Sequence, residues 1–117
     1  MRHRGPALRV SIFINDTDHW HHKPLYHEIV HRAYEAGLAG ATVIRGVEGY
    51  GAGRVVHTMR ILSFADNLPL IVIIVDDPDR VRAFLPQLDE IITDGTVVID
   101  EVEAIHYTDR PEVSGTA

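Results

Sequence analysis

From Leu68 to Val75 every residue is apolar. A strand with one face in water alternates, whereas a continuous run is expected where both faces of a strand are covered. The run is far shorter than the roughly 18 apolar residues of a membrane span, so it reads as an interior strand of a sheet. Within it Ile71, Ile73 and Val75 point away from Leu70, Val72 and Ile74. A small domain must therefore find a cover for each set, and each such aliphatic side chain gains about 1.5–3 kcal/mol on burial.

The rest of the chain supplies one cover. Leu8, Val10, Ile12 and Ile14 alternate as a first strand. Asn15-Asp16-Thr17-Asp18 is turn chemistry, and Pro24 suits the first turn of a helix running to Gly37, which stops it. On that helix Leu25, Tyr26, Ile29, Val30 and Ala33 form an apolar stripe, with His27, Glu28, His31, Arg32 and Glu35 on the solvent side. A second strand spans residues 41–45. After the apolar run, Asp77-Pro78 opens a second helix whose stripe is Val81, Phe84, Leu85, Leu88, Ile91 and Ile92, with Pro86 expected to kink it. Asp94-Gly95 turns the chain into a fourth strand ending near Tyr107.

The order is βαβ, long connection, βαβ. Two right-handed crossovers of this kind build an α+β, ferredoxin-like βαββαβ fold: a four-stranded antiparallel sheet, two helices on one face, and the first and third strands central. Two helices cover only one sheet face, so the other is expected to be covered by another subunit. The domain is expected to span 8–107, with 1–7 a flexible N-terminal segment and 108–117 a loose C-terminal tail.

Composition narrows the function. With no cysteine the chain has no disulfide framework, thiolate metal site or thiol nucleophile. A formal charge of −6, from 11 basic and 17 acidic residues, opposes binding to a phosphate backbone, so no nucleic-acid partner is expected. The positively charged start is followed by alternation rather than an apolar block, which indicates no secretion signal and fits a soluble cytoplasmic protein. No Ser-His-Asp order, flanked carboxylate pair or cofactor fingerprint is present, so no enzyme is expected and no cofactor is implied.

The connection between the second and third strands is the first place to look for function, because structureless connections beyond about 12–15 residues are uncommon. Gly49-Tyr50-Gly51-Ala52-Gly53-Arg54 lets backbone N–H groups converge on an anion, or makes the loop merely flexible. Arg45, Arg54 and Arg60 could meet that anion, or each could pair with a carboxylate. His27 and His31, one helical turn apart, could share a metal, or be solvated surface histidines.

Lys23-Pro24-Leu25, Arg32-Ala33-Tyr34-Glu35-Ala36-Gly37, the run from Gly40 to Gly51 and Asn67-Leu68-Pro69 together resemble an uncharacterised PII-like family, a numbered domain of unknown function in the wider superfamily of nitrogen-regulatory PII proteins. The resemblance covers about residues 8–107. It implies a homotrimer with a T-loop at about 47–66 that acts on a protein partner, such as a membrane transporter or an enzyme. It also implies a small-molecule effector of the adenine-nucleotide kind in the clefts between subunits. Thr42, Gly49 and Gly51 match positions at the base of that loop, and Asp94-Gly95 matches a turn that approaches phosphate from the neighbouring subunit. The resembling family also tends to have a histidine in the part of the loop that holds His57, which makes His57 a candidate for a pH-sensitive or ligand-contacting role. Where the PII proteins then have a lysine, this chain has Thr96, which removes a charge-assisted bond to a triphosphate. The alternative reading is a metal-binding trimer of the metal-tolerance type.

Overall fold

The computed structural model of the chain describes residues 2–51, 57–58 and 67–109. The elements, in chain order, are β1 (Arg2–Asn15), β2 (His19–Trp20), β3 (Lys23–Pro24), α1 (Leu25–Glu35), β4 (Thr42–Arg45), β5 (Glu48–Gly49), β6 (His57–Thr58), β7 (Pro69–Asp76), α2 (Pro78–Ile91) and β8 (Thr96–Tyr107). The main sheet has the order β4-β7-β1-β8, with every neighbouring pair antiparallel. The apolar run is therefore an interior strand beside β1, as its composition requires.

Register explains which residues make the core. Val10 lies opposite Ile74, Ile12 opposite Val72 and Ile14 opposite Leu70, and all six are at most 4% exposed. Ile29 and Ala33 of α1 and Val81, Phe84, Leu88 and Ile91 of α2 join them in a single cluster. Both helices therefore pack on the same face. α2 runs through Pro86 as one element; Pro86 is exposed, so a carbonyl it leaves without a helical partner can be solvated.

Among the described residues no element covers the other face. Ile44, Ile71, Phe13 and Thr96 lie side by side across the four strands, and Thr42, Ile73, Ser11 and Val98 form the next row. Phe13 is 42% exposed, Ile44 47% and Val98 45%. The third row closes on charge instead: Arg9 Nη2 donates to Asp100 Oδ2 at 2.6 Å.

Three sequence expectations need correction. Residues 2–7, expected to be flexible, continue β1 and pair with β8 out to Arg2 opposite Tyr107. Arg2-His3-Arg4-Gly5-Pro6 has no apolar alternation to announce a strand; the ladder comes from β8. Pro6 is tolerated because β7 flanks β1 only as far as Leu8, opposite Asp76. Pro24 is not in the helix: it precedes α1 with ψ 132° and pairs with His19 in a small hairpin. Finally, Glu28 and Arg32, assigned to solvent by periodicity, are packed in. Glu28 is 6% exposed, and Arg32 Nε donates to its Oε2 at 2.8 Å while Nη1 donates to Glu90 Oε2 of α2 at 3.1 Å. The Arg32 guanidinium also lies 4.8 Å from the centre of the Trp20 ring, so one side chain ties the β2–β3 hairpin, α1 and α2 together.

The hydrogen bond from Arg32 holds the Glu28 carboxyl below the usual carboxylate range, although burial opposes it. A folded-state pKa below the unfolded one adds stability above the ordinary carboxylate pKa of about 4.3, and that stability is lost as pH falls through the folded value. The stability gap between the wild type and Glu28→Gln should therefore be full at pH 7 and shrink below about pH 4. Urea titrations across pH measure it, and a gap independent of pH would contradict the pairing.

The β2–β3 hairpin turns at His21 and His22, which have φ of 48° and 68°. Two consecutive left-handed residues are what a two-residue type I′ turn needs, and Asn-Gly is the pair preferred there. Replacing the pair by His21→Asn with His22→Gly should raise stability by about 1 kcal/mol. Thermal unfolding checks this, and no gain would mean the turn is not strained.

Candidate functional site

The base of the long connection is built by a few contacts at one end of the sheet. Gly46 N–H donates to the Pro69 carbonyl at 2.8 Å as the chain leaves β4. A Cβ at Gly46 would come 2.8 Å from Pro69 Cγ, and one at Gly49 would come 3.1 Å from it, so both glycines let the outgoing chain lie against Pro69. On the returning side, Asp16 N–H donates to the Leu68 carbonyl at 2.9 Å, and Leu68 N–H donates to Asp16 Oδ1 at 3.1 Å. Thr17 Oγ1 donates to Asn67 Oδ1 at 2.7 Å. Sequence reasoning treated 15–18 only as a turn; no local pattern signals that Asp16 reaches across 52 residues. Beyond the base, β5 and β6 pair Glu48 with Thr58 and Gly49 with His57, so part of the connection is a two-stranded ribbon.

The candidate residues fall into two groups. Thr42, Arg45, Gly49, Tyr50 and Gly51 belong to β4 and the base of the connection, with Tyr50 62% exposed. A Cβ at Gly51 would meet nothing within 4 Å among the described residues, so of Gly49 and Gly51 it is Gly49 that has a packing reason to lack a side chain. Thr42 sits in register with Ile73 on the uncovered face, while Arg45, opposite Leu70, is on the other face. The second group is Asp94 and Gly95, where the chain enters β8. A Cβ at Gly95 would lie 2.9 Å from the Phe13 carbonyl oxygen, so this turn passes directly over the end of β1. Arg54 and Arg60 lie outside the described residues, and only the backbone pairing of His57 is described.

Both groups are at the same end of the sheet but on its two outer strands, since Arg45 pairs with Leu70, Asn15 with Pro69 and Phe13 with Thr96. Three strand spacings of nearly 5 Å put them about 14 Å apart. One chain does not bring the two halves together.

His27 and His31 face each other with ring centres 6.4 Å apart and planes 10° apart. His31 Nε2 is 2.6 Å from Glu35 Oε1, so one of its ring nitrogens is already engaged. Among the described residues no group of three or more His, Asp or Glu side chains is arranged to hold a metal. Nor is any described helix long and apolar enough to cross a membrane.

Residues 7–104 match a family described as DUF190, Uncharacterized ACR. A UPF0166 protein of Aquifex aeolicus is 30% identical over 97 residues, covering 83% of this chain and 91% of the relative. Among solved structures, CPII from Thiomonas intermedia K12, a nitrogen regulatory PII-like protein bound to ADP, AMP and bicarbonate, superposes with a TM-score of 0.62 at 15% identity, over 87% of this chain and 91% of CPII. The divalent ion tolerance protein CutA1 from Ehrlichia chaffeensis superposes with a TM-score of 0.55 at 13% identity, over 88% of this chain and 85% of CutA1. At these identities the two structures show a shared fold.

Proposed function

The chain belongs to the DUF190 family and has a PII-like fold, and from that premise we propose that it is a non-catalytic regulatory protein that assembles as a homotrimer and binds a small effector between subunits. The observation that carries this reading is the division of the candidate residues between β4 and β8 at one end of a sheet whose other face is bare and apolar. A second copy placed against that face buries Phe13, Ile71 and Ile73 and brings its own Asp94-Gly95 turn toward this chain's Thr42 and Gly49-Tyr50-Gly51. The effector class is the adenine nucleotide, the class bound to the CPII protein. The connection from Val47 to Asp66, anchored at both ends of its base, is the T-loop through which the bound state reaches a partner protein such as a membrane transporter or an enzyme.

A thermal-shift panel of AMP, ADP, ATP and cyclic AMP tests the reading, because a ligand bound only by the native state raises apparent stability by RT ln(1 + [L]/Kd). A shift of several degrees with at least one adenine nucleotide, abolished by Gly49→Val, is expected. No shift with any nucleotide at millimolar concentration would remove the effector assignment.

A further inference from the structure

The charged row on the bare face stands among uncharged ones. Along β1 that face carries Phe13, Ser11, Arg9, Ala7 and Gly5, opposite Thr96, Val98, Asp100, Val102 and Ala104 of β8. On the other flank β7 sets Ile71, Ile73 and Val75 beside Phe13, Ser11 and Arg9. Among the described residues of these rows only Arg9 and Asp100 carry charge. They are joined twice: Arg9 Nε donates to Asp100 Oδ1 at 3.3 Å and Nη2 donates to Oδ2 at 2.6 Å, the parallel geometry of a bidentate guanidinium–carboxylate pair. In the isolated chain the two side chains are 48% and 42% exposed, so water still screens them. Exposed Val75 and Val98 lie next to the pair on the same face.

We propose that Arg9 and Asp100 are the specificity pair of the interface between copies of this chain: Asp100 neutralises Arg9 where a second copy covers the row, and neither charge is tolerated there without the other. The proposal rests on the homotrimer reading above, because that assembly is what takes the pair out of water. An ion moved from water into an apolar contact loses much of its hydration, and a bidentate partner of opposite charge offsets the loss only while both members are present. An exposed pair contributes little. The same two side chains therefore matter little to the isolated chain and much to the assembly. They also set what the face accepts. Apolar rows alone would take any apolar surface, whereas this row rejects one that parts the pair or presses an unmatched charge against it.

A double-mutant cycle on assembly tests the proposal, with Arg9→Met, Asp100→Leu and the two combined. Sedimentation of labelled chains over a dilution series gives the concentration at which half of them are trimeric. Each single variant should raise that concentration at least about a hundredfold, since removing one partner strands the other charge in the interface. The combined variant should return to within about tenfold of wild type, because replacing both members by apolar side chains is often neutral or stabilising. In a Phe13→Asp chain, held apart by that carboxylate, the same single substitutions should move Tm by no more than about 3 °C, as for an exposed pair. With a trimeric wild type, single variants that assemble as it does, a combined variant as dissociated as the singles, or a large Tm loss in the Phe13→Asp chain would each overturn the proposal alone. A wild type that is monomeric throughout the series overturns the homotrimer reading and this proposal with it.

Discussion

Phe13→Asp is expected to reduce the mass in solution from three times the 13.1 kDa chain mass to the mass of one chain, with the secondary structure kept. Phe13 is the largest side chain in the first row of the bare face and is 42% exposed in the isolated chain. Its flanking partners across β7 and β4 are Ile71 and Ile44. Covering such side chains is worth about 1.5–3 kcal/mol each. A carboxylate in their midst must instead be stripped of water with no cation opposite, at an effective cost of several kcal/mol in every subunit. The fold should survive because β1 turns its core side chains, Leu8, Val10, Ile12 and Ile14, to the other face. Phe13→Leu serves as the control and should stay trimeric. Light scattering after size exclusion reads the outcome, and a trimeric Phe13→Asp variant, or a monomeric wild type at micromolar concentration, would defeat the subunit arrangement.

Asp76→Ala should lower unfolding free energy by about 3 kcal/mol, roughly a 10 °C drop in Tm for a domain of this size. Asp76 is 3% exposed at the end of β7. Its Oδ2 accepts from Ala39 N–H at 2.8 Å and its Oδ1 from Asp77 N–H at 2.6 Å. One carboxylate thus fixes both the turn after α1 and the start of α2. Arg80 Nη2 donates to the Gly37 carbonyl of the same turn at 2.6 Å. Removing the carboxylate leaves two N–H donors to find other partners, and each donor left unsatisfied costs about 1–3 kcal/mol. Denaturant unfolding measures the loss. A change below about 0.5 kcal/mol, the range of ordinary surface substitutions, would show that water replaces the carboxylate freely.

The two variants probe different levels of organisation. Asp76 acts inside one chain, joining β7 to the turn that leads into β4. Phe13 lies on the face that bears Thr42, where the proposed assembly puts a second chain. If assembly is lost in Phe13→Asp, nucleotide-dependent stabilisation should go with it, because Asp94-Gly95 and Gly49-Tyr50-Gly51 sit on opposite edges of the sheet.

Those elements that announce themselves by local periodicity were legible in the sequence. The alternation of Leu8, Val10, Ile12 and Ile14, the continuous apolar run to Val75 and the stripe from Val81 to Ile91 each report burial directly, because a side chain's face follows from its position along a strand or helix. The strand order and the bare second sheet face follow from those patterns and from crossover handedness. The glycine-rich loop base also shows in the sequence, although a packing role for Gly49 against Pro69 does not. Tertiary structure alone decided what depends on partners distant in sequence. Residues 2–7 become strand because β8 is long enough to pair with them. Glu28 is buried and Arg32 half-buried because Trp20 and Glu90 arrive from other elements, and periodicity carries no information about such partners. Asp16 closes the loop base with Leu68 through hydrogen bonds that no local pattern encodes. Chain topology brings these pairs together, and their hydrogen bonds and ring contacts exist only once the apolar core has set the positions of the strands.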